Sequence, residues 1–161
     1  MSRRPRAIAL VSLVGLIVLS EISSEAATGG SAASCVFQVT GPYPEQEVAA
    51  AVSVEGIALL EPGHHLWVFA RRADFGPLWW PQGEGVPDPS SGSWKVLATI
   101  GVPQDVGRDF DLAVAVFAGE EHARLRDWLA KGAASGNFPP LEMPATVCSP
   151  ELRTLRKARA E

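Results

Sequence analysis

The side chains that could do chemistry in this chain are few and widely spaced. His64 and His65 are neighbours, His122 stands far along the chain, and Asp105, Asp109 and Asp111 form a loose acidic group. Extended backbone would point His64 and His65 to opposite faces, so the pair cannot easily converge on one cation. A tetrahedral zinc site wants further ligands, and His122 is expected on a distant helix, so the two histidines read as an exposed turn pair and no metal site is expected. The three aspartates lack the Asp-x-Asp-x-Asp-Gly spacing of a calcium loop. They read as solvated carboxylates at strand edges, with Asp105 organising the turn at Gly107. No Gly-x-Ser-x-Gly elbow, glycine-rich phosphate loop or paired acid–base carboxylates are present, so neither an enzyme nor a cofactor is expected.

Trp79-Trp80 with Gln82 is the one group that could mark a binding surface. Adjacent strand residues face opposite ways, so one indole can cap the core while the other faces outward. An outward indole beside an amide could stack on a sugar ring or anchor a protein partner. The alternative is that both cover the open end of the fold beneath the Gly83–Gly92 loop. Trp67, Trp94 and Trp128 are assigned to packing.

Cys35 and Cys148 are the only cysteines, so a single intramolecular pairing exists, and it would persist in an oxidising compartment. Arg3, Arg4 and Arg6 precede the uncharged apolar run Ala7–Leu19, which is the length of a signal-peptide core and short for a membrane span. Ser24 and Ala26 suit cleavage after residue 26, with Ala27 and Ala33 as other possible sites. The alternative is an uncleaved anchor at residues 7–19. The expected compartment is therefore periplasmic or secreted, with membrane contact only if the leader is retained.

Removing residues 1–26, which hold Arg3, Arg4, Arg6, Glu21 and Glu25, takes the net charge from −4 to −5. That modest acidity offers no basic face for nucleic acid. The remaining length of about 135 residues suits one domain with a real core.

The elements that must position these groups read mostly as strands. Val48, Ala50, Val52 and Val54 alternate with more polar or smaller residues, as do Trp94, Val96, Ala98 and Ile100. Phe110, Leu112, Val114 and Val116 do the same opposite Asp109 and Asp111. Leu66–Ala70 is apolar at every position, which predicts a central strand covered on both faces. Cys35, Phe37 and Val39 suggest an opening strand, and Met143, Ala145 and Val147 a closing one. Leu78–Trp80 reads as a short edge strand stopped by Pro81. One helix is expected over residues 120–131, opened by Glu120-Glu121 and closed at Lys131-Gly132, with Leu125, Trp128 and Leu129 on one face. The fold class that follows is all-β: an immunoglobulin-like antiparallel β-sandwich with one inserted helix and an N-terminal signal helix. Its boundaries are a signal peptide over 1–26, a flexible linker over 27–34, the sandwich over 35–148 and a basic C-terminal tail over 149–161, expected as a frayed helix.

Leu66-Trp67-Val68-Phe69-Ala70-Arg71, then Trp79-Trp80-Pro81-Gln82, then Gly92-Ser93-Trp94, and finally Gly101 through Asp105-Val106-Gly107-Arg108-Asp109-Phe110 follow one another along the chain. In this order of motifs the chain resembles a group of uncharacterised bacterial immunoglobulin-like β-sandwich modules. The resemblance spans Gly41–Phe117 and implies an extracytoplasmic or accessory module without an agreed activity. The functional expectation is an exported, non-catalytic protein-interaction module. A carbohydrate-binding module using Trp79 and Trp80 is second and a hydrolase third, so the expected partner is a protein or glycan of the cell envelope.

Overall fold

A computed structural model describes residues 35–158. The strands are β1 (Val36–Gly41), β2 (Glu47–Val48), β3 (Ala51–Leu59), β4 (His64–Arg72), β5 (Trp80–Gly85), β6 (Ser93–Thr99), β7 (Asp109–Ala118) and β8 (Glu151–Lys157). Among the described residues there is one α-helix, α1 (Gly119–Ser135), which leads from β7 towards β8, and one short 3-10 turn at Pro103–Asp105. One sheet has the order β1-β3-β6 and the other β2-β8-β7-β4-β5. All pairings are antiparallel except β2 with β8. With the two-residue β2 set aside, these orders correspond to A-B-E facing G-F-C-C′, the strand arrangement of an immunoglobulin-like sandwich. The expected signal peptide and linker lie outside the described residues. No helix among the described residues is long and apolar enough to cross a membrane.

Two apolar cores share the five-stranded sheet. Leu66, Val68 and Ala70 of β4 point into the space between the sheets and meet Val54, Trp94, Val96 and Ala98. Their alternates Trp67 and Phe69 point the other way and pack with Ala113, Ala115 and Phe117 of β7 and Leu125 of α1. The unbroken apolar run of β4 is thus buried on both faces, as expected. β7 shares that environment: Phe110, Leu112 and Val114 face the sandwich and Ala113, Ala115 and Phe117 face the helix.

The edges of the three-stranded sheet are tied across to the other sheet. Val39 of β1 donates its N–H to Glu151 Oε2 and accepts from Arg153 Nη2. Thr99 of β6 donates its N–H to Gln82 Oε1 at 2.8 Å. Side chains of β8 and β5 thereby occupy backbone groups that an edge strand would leave free.

Several sequence expectations need correction. In the expected helical tail, Glu151–Lys157 instead forms β8, paired with β7 and β2. The sandwich therefore runs past Cys148. Charge hid this strand: Arg153 and Arg156 look wrong for a sheet, but they meet Glu151 and Asp109, while Leu155 and Lys157 are buried. The Lys157 ammonium donates to the Ile100 carbonyl. Conversely, Met143–Val147 forms no strand and is attached to β7 by the Val147 N–H to Val116 O bond. The run Val48–Val54 is divided between the sheets, Val48 joining β8 and Val54 joining β6.

The expected edge strand Leu78–Trp80 lies instead at Trp80–Gly85 and includes Pro81. Proline is accommodated because β5 is an edge strand and its register with β4 slips between Val68 and Phe69. The helix outruns its expected end at Gly132, which lies against the Phe138 ring so closely that a Cβ would sit 2.2 Å from it. Gly136, at φ 70°, is the true C-cap and donates its N–H to the Gly132 carbonyl.

Cys35 and Cys148 form a disulfide with a Cα–Cα distance of 6.1 Å across a separation of 113 residues. It fastens the start of β1 to the loop preceding β8. Closing so long a loop restricts the unfolded chain and contributes roughly 4–5 kcal/mol in the chain-entropy model. Replacing both residues by serine is expected to lower stability by about 2–5 kcal/mol with the far-UV spectrum retained, measured by urea unfolding. Unchanged stability would show that the bridge constrains nothing.

Candidate functional site

Trp79 and Trp80 face opposite ways. Trp79 is 6% exposed and belongs to the helix-side core, with the Arg71 guanidinium 4.3 Å from its ring centroid. Arg71 is held there by Asp111 at 3.0 Å. Trp79 is therefore a packing residue whose backbone also exchanges two hydrogen bonds with Leu141. Trp80 is half-buried and its indole N–H donates to the Phe138 carbonyl at 3.1 Å. The Trp128 indole N–H donates to the next carbonyl, that of Pro139, at 3.0 Å. Two indoles thus hold the segment that returns from α1 against the start of β5.

That anchoring creates an open cleft of about 690 Å³ at the β5–β6 side of the sandwich. Its aromatic lining is Phe75, Trp80, Trp128 and Phe138, with the buried Phe110 beneath. Phe75 lies 5.9 Å from Trp80, and Trp128 lies 5.5 Å from Phe138, between ring centroids. Phe75 and Phe138 are 55% and 40% exposed, leaving apolar surface open to solvent.

The polar groups around this cleft are largely committed to one another. Gln82 donates to the Trp80 carbonyl and accepts from Thr99 N–H, so both ends of its amide are used. Arg72 donates to Asp74 and Asp105. Asp105 is buried rather than solvated; its backbone carbonyl closes the turn at Gly107 by accepting the Arg108 N–H, whereas its side chain accepts the Val102 N–H at 2.8 Å and not a backbone N–H of that turn. The bond from Val102, then the Arg72 guanidinium, holds its carboxyl below the usual range against the cost of burial. Asp109 and Asp111 are directed to Arg156 and Arg71 and do not converge with Asp105.

A second cluster lies on the helix side of the same sheet. His65 shares the face of Trp67 and Phe69, and Glu84 is paired opposite Trp67 on β5. His122 occupies the first turn of α1. His65 Nδ1 lies 3.0 Å from Glu84 Oε1, and its ring stacks on His122 at 3.5 Å with 9° between planes. The buried Trp67 indole N–H donates to His122 Nδ1 at 3.1 Å. Arg126 reaches the other Glu84 oxygen at 3.4 Å. The expectation that His122 lies far from the histidine pair is thus wrong for His65. His64 points elsewhere, with Glu61 at 3.9 Å. The missed signal was the spacing of His122 with Leu125 and Leu129, which places the three on one helix face.

No protein-family model and no curated protein matches the chain at a significant level.

Burial pulls the His122 imidazole below its ordinary value; Glu84 opposes the shift, while His65 and Arg126 add to it. The unfolded chain then takes up the proton first. The stability linked to neutral His122 is fully present above the ordinary histidine value of about 6.5 and declines as pH falls below it. Urea unfolding midpoints at pH 7.5 and 5.5, measured with a chelator present, are expected to fall towards acid, and His122→Asn to reduce that fall. An equal fall in the variant would place the titration elsewhere.

Proposed function

We propose that this chain is an exported, non-catalytic interaction module that receives an apolar or aromatic side chain of a protein partner in the Trp80 cleft. The observation that carries this reading is the combination of exposed aromatic walls with a polar rim whose groups already bond one another. An apolar guest gains from burial alone, whereas a sugar needs donors and acceptors for its hydroxyls. Hence a protein segment is favoured over a glycan, which remains the second reading through stacking on Trp80. Trp79 takes no part in either, being covered. A hydrolase ranks third because the cleft walls do not include His65, Glu84 or His122.

The disulfide suits an oxidising compartment, periplasmic or extracellular. The basic start and apolar run of residues 1–26 support export by a signal peptide, with anchoring by residues 7–19 as the alternative. The correspondence of strand order supports kinship with the bacterial immunoglobulin-like modules that the motifs resemble.

Selection from a displayed peptide library, run beside a glycan array, tests the reading. Enriched peptides are expected to carry a large apolar or aromatic residue, and Trp80→Ala and Phe75→Ala each to weaken them by about tenfold or more. Phe75 is largely exposed, so its variant keeps the fold. Absence of any enriched peptide, or binding confined to glycans, would contradict the proposal.

A further inference from the structure

We propose that His65, Glu84 and His122 bind a divalent transition-metal ion of the zinc or copper class. Each residue offers a ligand atom, and the three atoms lie within 4.8 Å of one another. Two imidazoles and a carboxylate form a donor set that such ions favour over calcium or magnesium. The Glu84 Oε1 separations, 3.0 Å to His65 Nδ1 and 3.8 Å to His122 Nδ1, bracket the roughly 3.3 Å between ligand atoms around tetrahedral zinc. His122 Nδ1 accepts the Trp67 N–H, so it carries a lone pair. The side chains are sheltered but reachable, with Glu84 and His122 17% and 18% exposed.

Loading has definite consequences for the residues around the ion. The cation takes the place of the hydrogen bond between His65 Nδ1 and Glu84, and His65 binds as a neutral imidazole that keeps its one proton on Nε2. The two rings tilt out of their parallel stack, because parallel planes carry their lone pairs side by side. Arg126, whose side chain is 64% exposed, swings away from Glu84. Trp67 gives up its acceptor on His122, which moderates the affinity and makes its indole a reporter. With three protein ligands, the coordination sphere keeps a position for water. The ligands come from β4, β5 and α1, so the ion would fasten the inserted helix to the sheet.

The bland alternative is that the cluster only hydrogen-bonds and stacks to attach α1. Titrating the full chain, stripped with EDTA and dialysed, separates the two. Copper(II) is expected to bind once and quench tryptophan fluorescence, with electron paramagnetic resonance showing nitrogen ligation. Zinc is expected to compete for the site and raise the thermal midpoint. His65→Asn, His122→Asn and Glu84→Gln should each weaken copper binding by at least about tenfold, whereas His64→Asn should leave it unchanged. Circular dichroism checks that the variants fold, and Glu84→Gln retains an acceptor for His65. The proposal is overturned by absence of one-to-one saturation, or by copper binding that Glu84→Gln and His122→Asn do not weaken.

Discussion

Strand β4 must be buried on both faces, and most of the molecule follows from that. Leu66–Ala70 carries no side chain that tolerates water, so a sandwich alone would leave Trp67 and Phe69 exposed. The chain resolves this by placing α1 between β7 and β8 and laying Leu125 and Leu129 over those rings. The five-stranded sheet becomes a middle layer rather than half of a two-layer sandwich. Burying Trp67 and Phe69 contributes on the order of 2–3 kcal/mol each, enough to justify a whole helix in a marginally stable domain.

Both candidate sites are consequences of that inserted helix. Its return segment must cross the sheet, and the Trp80 and Trp128 indoles hold it by two consecutive carbonyls. The aromatic side chains left at this crossing form the cleft. At its other end, α1 brings His122 onto His65 and Glu84, whose side chains already meet across β4 and β5. Trp79 serves the structure and Trp80 the surface because the strand turns each successive side chain to the opposite face.

Much of the sheet framework was legible in period-two patterns. Trp94, Val96, Ala98 and Ile100 fill the core as their alternation required, and the disulfide joins the pair that sequence made unavoidable. β8 was not legible, because alternation there is carried by Leu155 and the stem of Lys157, while Arg153 pairs with Glu151 of the same strand and Arg156 with Asp109 of β7. The division of Val48 from Val54 depends on which sheet each residue joins, and their common parity is silent about that. The histidine cluster was missed for a related reason. His64 and His65 are not an exposed turn pair but the half-buried first residues of β4; His65 alone shares a face with Trp67, and only the packing of α1 brings His122 to that face. The cleft combines residues from four distant segments, and no local pattern encodes it.

The sheet from β8 through β7 to β4 should therefore behave as one cooperative middle layer. Native-state hydrogen exchange at low denaturant tests it most directly, since segments that open together share one opening free energy. Amides in the hydrogen-bonded ladders of β4, β7 and β8 are predicted to exchange only through global unfolding, with a common denaturant dependence. If β8 amides instead exchange at the rate of unstructured chain while β4 and β7 stay protected, the account is wrong.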